Sequence, residues 1–179
     1  MSPVSPLWVF AYGSLLWHPE FEPAEEVGAT LEGYHRSFCM LSIHHRGTPE
    51  KPGLVLALDR AEGARCAGLA LRVAEVDTDR VLAALREREL VSSAYVEEVV
   101  PLDLADGRRV EALAYVVDRS HPQYCLFDLA EQARRIAGAV GGRGPNPDYL
   151  ARTVDRLHAL GIPDPDLDRL HAEVTRLLA

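Results

Sequence analysis

Two glutamates stand at the end of a predicted helix, within the four-residue run Arg86–Glu89. At about 100° per residue, the apolar side chains of the stretch 81–85 define one direction of this helix, and Glu89 falls about 35° from it. Glu87 points roughly opposite. A buried carboxylate is costly unless it has partners or does chemistry. The phase therefore predicts Glu89 as a candidate general acid–base, with Glu87 as the rival and a helix-end ion pair with arginine as the structural alternative.

A second candidate lies where the first predicted strand stops, in Phe10-Ala11-Tyr12-Gly13-Ser14-Leu15-Leu16-Trp17. A strand that ends in Gly-Ser leaves several N–H groups without ladder partners, and clustered N–H groups can hold a carboxylate or a phosphate. An ordinary strand-to-loop turn is the alternative interpretation of the same residues. Ser14 has no evident base beside it, so we do not predict it as a nucleophile.

Hydrophobic patterning predicts the elements that must position these two features. Short apolar or alternating runs predict strands over residues 7–11, 29–43, 54–58, 66–73, 95–100 and 110–117. Helical periodicity predicts helices over 77–90, from Asp128 with Leu129, Ile136 and Val140, from Asn146, and from Asp164. Gly68, inside a predicted strand, indicates a bulge or a close backbone approach.

Strands that come first and helices that come last predict an α+β fold. We expect one domain over residues 1–179, with a mostly antiparallel sheet that can close into a barrel. No internal repeat or low-complexity tract interrupts the chain.

Composition excludes several functional classes. The chain has 47% apolar and 26% charged residues, which is typical of a globular protein, and a net charge of −8. That charge and the lack of a basic block argue against partners such as nucleic acid or an anionic membrane. The cysteines, Cys39, Cys66 and Cys125, are widely spaced, which argues against a disulfide scaffold or a zinc site. Neither a signal segment nor an apolar run of about 20 residues is found, so we expect a cytoplasmic protein.

The two candidate features belong to a wider set of short motifs. The set comprises Tyr12-Gly13-Ser14-Leu15 with Trp17, His45-Arg46-Gly47, Lys51-Pro52-Gly53, Arg88-Glu89-Leu90 before Ala94-Tyr95, His121-Pro122-Gln123-Tyr124, Glu131-Gln132, and Gly144 to Leu150 with Asn146 and Tyr149. Together these motifs resemble the ChaC-like γ-glutamylcyclotransferases, from Trp8 to about Leu157.

The resemblance implies a small mixed barrel with flanking helices, and a reaction without metal or cofactor. The α-amine of a γ-glutamyl substrate attacks its own γ-carbonyl, closing 5-oxoproline and expelling an amine. With glutathione, the expected small-molecule substrate, the second product is cysteinylglycine. The family's catalytic glutamate maps onto Glu89, and its amide loop onto Tyr12 to Leu15, which would hold the α-amino-acid end of the substrate.

Other residues are weaker candidates for binding the substrate. His45 and Arg46 could bind its distal carboxylate, although a structural or solvent-facing role is the commoner one for such residues. Tyr95 and Tyr124 could each direct a phenol into the site, whereas a buried tyrosine often satisfies only one structural hydrogen bond.

Two alternatives to glutathione cleavage stay open at this point. The same cyclisation could act on another γ-glutamyl amine or amino acid. The scaffold could also bind γ-glutamyl metabolites without turning them over, and such a binder would need no inward base. The sequence leaves the oligomeric state open.

Overall fold

The structure, a computed structural model, describes residues 6–90 and 94–179. Contacts divide the chain into two compact units: Met1–Arg36 with Ala57–His121, and Ser37–Leu56 with Pro122–Ala179. Within the described residues the strands are β1 (Trp8–Ala11), β2 (Glu25–Ser42), β3 (Gly53–Arg72), β4 (Tyr95–Leu104), β5 (Arg109–Val117), β6 (Val140–Gly141) and β7 (Gly144–Pro145). The α-helices are α1 (Thr78–Leu90), α2 (Leu129–Gly138), α3 (Asn146–Ala159) and α4 (Pro165–Leu178).

Strands β1 to β5 form a closed barrel with strand order β1-β3-β2-β4-β5. Strand β1 runs antiparallel to β3, with Ala11 opposite Leu69, and parallel to β5, with Val9 opposite Leu113. Strands β4 and β5 form an antiparallel ladder, and α1 packs on β4. The predicted α+β fold with a small mixed, mostly antiparallel barrel is therefore confirmed.

One predicted boundary in the barrel is wrong. The predicted strands at 54–58 and 66–73 are parts of the single strand β3, which continues through residues 59–65. Most side chains in this middle stretch are exposed, and Arg65 makes an ion pair with Glu32 of β2 at 3.1 Å. This middle stretch carries no regular apolar alternation, so the pattern predicted two separate strands.

Gly68 makes the close approach that its position predicts. A Cβ at this residue would collide with the carbonyl oxygen of Ala11 and would lie 3.0 Å from the ring of Phe10. Only glycine therefore lets β3 lie this close to the end of β1, immediately before Tyr12.

Helices α2, α3 and α4 pack on one another in the second unit. Asp128 accepts a hydrogen bond from the Glu131 N–H, and Asp164 accepts from the N–H groups at the start of α4, so both helices begin where the sequence predicts. The prediction for Val140 is wrong: α2 ends at Gly138, and Val140 lies in β6 with 58% of its surface exposed. Glycine is a poor helix former, which favours this early end.

Among the described residues, no helix combines the length and apolarity that a membrane crossing requires.

Candidate active site

Glu89 lies in the last turn of α1. Val81, Leu82 and Leu85 are the buried side chains of this helix. The side chain of Glu89 is 16% exposed, whereas Glu87 is exposed. The helical phase therefore predicted the orientation of both carboxylates correctly. Their chemical roles stay a prediction.

Arg88 connects the end of α1 to the turn that follows β1. Its guanidinium donates to the Ser14 hydroxyl at 2.5 Å and to the His18 carbonyl at 2.8 Å. It also makes ion pairs with Glu20 at 3.3 Å and with Glu89 at 3.6 Å. The Arg88 side chain is only 9% exposed. One guanidinium thus links the candidate base to the candidate amide turn.

Sequence reasoning did not assign a role to Arg88, although a signal was present. Arg88 is seven residues after Val81, a spacing that returns to nearly the same face of a helix. An arginine in that phase must bury its charge or bridge to neighbouring elements.

The turn after β1 is held from inside the barrel. Residues Ser14–Leu16 form a short 3₁₀ turn in which the Leu16 N–H donates to the Gly13 carbonyl at 2.9 Å. The Tyr12 hydroxyl donates to the Tyr115 carbonyl at 3.0 Å, and the Arg36 guanidinium donates to the Tyr12 carbonyl at 2.7 Å. The phenol of Tyr12 is therefore occupied in the interior.

What this turn offers to a ligand is its backbone. The first N–H groups of a helical turn have no acceptor within that turn, which makes them suitable donors to an anion. The side chain of Leu15 is buried and anchors the turn on the barrel.

A second polar chain lies beside Glu89 on strands β4 and β5. The hydroxyl of the buried Tyr115 donates to Glu97 at 3.0 Å, and Arg86 donates two hydrogen bonds to the same carboxylate at 3.0 and 3.1 Å. Burial, followed by the charge of Glu97, raises the pKa of Tyr115, and Glu89 adds to this shift. The hydrogen bonds from Arg86 lower the pKa of Glu97. Tyr95 is two residues before Glu97 on β4, so it lies on the same face.

The sequence did not predict the hydrogen bond between Tyr115 and Glu97 either. Tyr115 and Glu97 lie directly opposite each other in the β4–β5 register, and only the pairing brings them together. No short-range pattern in the chain carries that information.

Arg46 lies in the second unit and is buried, with 5% of its surface exposed. Its guanidinium donates to the Pro145 carbonyl at 3.1 Å and lies over the Tyr149 ring, 5.6 Å from the centroid. Burial lowers the pKa of Arg46, and the charge of Arg152 acts in the same direction. The planar guanidinium of arginine presents donors in a geometry that matches a carboxylate.

His45 and Tyr124 are the other candidates in this unit. His45 is exposed and follows the end of β2, and its carbonyl accepts a hydrogen bond from the Arg143 N–H at 2.8 Å. Tyr124 is half-buried and forms an isolated antiparallel bridge with Met40.

The motif with Asn146 and Tyr149 has a structural explanation. Asn146 is fully buried, and its amide both donates to the Leu54 carbonyl and accepts from the Leu54 N–H, each at 2.8 Å. The Tyr149 hydroxyl accepts from the Leu56 N–H at 3.1 Å. The start of α3 thus satisfies backbone groups of β3 that would otherwise be buried without partners.

The predicted site residues fall into two groups. The first unit contains the turn Tyr12–Leu15, Glu89 and Tyr95, and Arg88 links the turn to the glutamate. The second unit contains His45, Arg46 and Tyr124. Within residues 6–90 and 94–179, no group of three or more His, Cys, Asp and Glu side chains is arranged to hold a metal ion.

Comparisons with known proteins agree on one family. Residues 7–177 match the family model of ChaC-like proteins. The glutathione-specific γ-glutamylcyclotransferase of Escherichia coli (strain K12) is 40% identical over 175 residues, 97% of this chain and 75% of that protein. The protein of the same name from Schizosaccharomyces pombe is 32% identical over 196 residues, 98% of this chain and 96% of that protein.

Solved structures show the same fold. The crystal structure of a yeast γ-glutamylcyclotransferase specific to glutathione superposes with a TM-score of 0.86 at 22% identity, covering 95% of this chain and 96% of that one.

Proposed function

The chain belongs to the family of ChaC-like proteins, and from this premise we propose that it is a glutathione-specific γ-glutamylcyclotransferase. It cleaves glutathione to 5-oxoproline and cysteinylglycine. The observation that carries the proposal is the 40% identity, over 97% of the chain, to a bacterial protein with that name. We further propose that the enzyme works in the cytoplasm.

The reaction rearranges bonds within one substrate molecule. The α-nitrogen bonds to the γ-carbonyl carbon, and the bond from that carbon to the cysteine nitrogen breaks. The α-ammonium must lose a proton before it attacks, and the leaving nitrogen must gain one. One carboxylate can do both in turn, so no net proton change is needed at the protein. General acid–base catalysis of this kind contributes about 10²–10⁴-fold to the rate.

Glu89 is the proposed carboxylate. Its partial burial and its link through Arg88 to the turn after β1 support this role, whereas the exposed Glu87 lacks that setting. The N–H groups of the turn would hold the α-carboxylate of the substrate. If the turn holds the α-carboxylate and Glu89 contacts the α-amine, the γ-glutamyl chain is held with its amine close to its γ-carbonyl. This lowers the entropic barrier to ring closure.

Four further residues are proposed to contact the substrate. Arg46 and His45 would bind a distal carboxylate, because the planar fork of a guanidinium can form paired hydrogen bonds with such a group. Tyr95 and Tyr124 would contribute hydroxyl groups.

The experiment that tests the proposal is turnover by the purified chain. Incubation with glutathione should release 5-oxoproline and cysteinylglycine in equal amounts, measured by liquid chromatography and mass spectrometry. A panel of γ-glutamyl amines and amino acids tests specificity. If the chain turns over one of these and not glutathione, the assigned substrate is wrong. Binding without any product would instead favour a non-catalytic module.

Glu89→Gln tests the catalytic assignment, with Glu87→Gln as the matched control. We expect Glu89→Gln to keep the circular dichroism spectrum of the parent and to lose about 10²–10⁴-fold in kcat. Glu87→Gln should keep the rate of the parent. Equal rates for Glu89→Gln and the parent would refute the assignment.

A further inference from the structure

Arg88 makes more contacts than a helix-end arginine needs, and the proposed chemistry does not use it. Most arginines of this chain with ion pairs are far more exposed; Arg80 on the same helix, for example, is 62% exposed and pairs with Asp77. Arg88 is 9% exposed and contacts Ser14, His18 and Glu20 on one side and Glu89 on the other. Its neighbours thus come from the turn region 14–20 and from the end of α1.

We propose that Arg88 is a positioning residue that locks the turn after β1 to the Glu89 carboxylate. This inference rests on the proposed function. In the proposed reaction, the turn binds the α-carboxylate of the γ-glutamyl group, and Glu89 takes the proton from the neighbouring α-amine. The turn and Glu89 must act on two groups, the carboxylate and the amine, that are both bonded to the same substrate carbon. Arg88 holds the turn and the carboxylate in one fixed relation.

The geometry requires a guanidinium and not only a positive charge. The planar fork of arginine donates in several fixed directions, so different nitrogens can reach Ser14, His18 and Glu89 together. A lysine ammonium is a single point charge and cannot keep all of these partners. Arg88→Lys therefore keeps a positive charge next to Glu89 but loses the set of hydrogen bonds that holds the turn. Arg88→Met loses both the charge and these hydrogen bonds.

The charged and titratable groups that face Glu89 come from several elements. Arg88 is on its own helix, and Tyr115 faces it from β5. Tyr115 is in turn hydrogen-bonded to Glu97, which Arg86 neutralises.

The test compares Arg88→Lys, Arg88→Met and the matched control Arg80→Met in the glutathione assay. A misplacement of about 1 Å costs on the order of 10²-fold, and we expect both Arg88 variants to lose rate on that scale, in kcat more than in KM. Only Arg88→Met removes the positive charge next to Glu89, so only this variant should also move the acidic limb of the pH–rate profile upward. Arg80→Met should match the parent in both measurements.

Ser14→Ala supplies a second variant that keeps the buried cation. It removes the hydroxyl that Arg88 contacts at 2.5 Å, so its effect should be smaller than that of Arg88→Met and should largely disappear in the Arg88→Met background. Full additivity of the two changes would overturn the proposal. If Arg88→Met does not fold, the same comparison is made in the Arg88→Lys background, where the effect of Ser14→Ala should also shrink.

Amide hydrogen exchange provides a readout that does not need turnover. Exchange over residues 13–20 should be faster in Arg88→Lys and Arg88→Met than in the parent and in Arg80→Met. Unchanged exchange, or faster exchange with an unchanged kcat, would overturn the proposal. Failure of the parent to make 5-oxoproline would instead refute the proposed function, and exchange would still decide whether Arg88 holds the turn.

Discussion

Replacement of Asn146 by alanine should destabilise the chain strongly, although Asn146 is not a candidate for catalysis. The amide is fully buried and makes two hydrogen bonds of 2.8 Å with the backbone of Leu54, which is itself fully buried. Asn146→Ala leaves one N–H and one C=O without partners. Each such group costs about 1–3 kcal/mol, so the free energy of unfolding should fall by roughly 2–6 kcal/mol. That is a large share of the 5–15 kcal/mol that is typical of a domain.

Urea unfolding followed by circular dichroism measures this change through the transition midpoint. Gln123→Ala is the matched control, because it removes a carboxamide that donates to the Leu41 carbonyl at 2.8 Å from a half-buried position. We expect its cost to be about 0.5–1.5 kcal/mol, the usual net value of one hydrogen bond. If Asn146→Ala lowers the free energy of unfolding no more than Gln123→Ala does, the conclusion that Asn146 stabilises the fold by pairing with the Leu54 backbone is wrong.

Three further predictions concern single side chains. Hydrogen bonds from Arg86 lower the pKa of Glu97 in the folded protein. The ionised carboxylate therefore stabilises the fold at pH values above the pKa that Glu97 has in the unfolded chain. This stabilisation is lost as the pH falls through the pKa of Glu97 in the folded protein. Glu97→Gln should therefore lower Tm near pH 7, with a difference from the parent that shrinks in acid, as scanning calorimetry would show. Burial raises the pKa of Cys125 to about 11. Iodoacetamide should thus label this thiol slowly at pH 8 and faster as pH rises towards 10, measured by peptide mass spectrometry; fast labelling at pH 8 would contradict this. Asp128→Ala removes the cap on the Glu131 N–H and should cost about 1 kcal/mol in urea unfolding, and no change would contradict the capping role.

The local parts of the fold could be predicted because they depend on neighbours in the chain. Helical phase separated Glu89 from Glu87, and the helix starts at Asp128 and Asp164 were predicted from the local sequence alone. The continuity of β3 could not be predicted. Its exposed middle is stabilised by pairing with β2, and pairing leaves no hydrophobic pattern in a ladder that faces water. The expectation of a single domain over residues 1–179 stays a prediction.

The sequence by itself determined which residue types are available for the chemistry: an inward glutamate at a helix end, a Gly-Ser turn after a strand, and motifs that resemble one enzyme family. Only the tertiary structure decided how they are held. Arg88 reaches Ser14 across 74 residues of chain, and Tyr115 meets Glu97 through strand register. Such contacts depend on the closure of the barrel and on the packing of α1 on β4. Hydrophobic burial drives both, but the positions of these polar partners follow from geometry that no local pattern encodes.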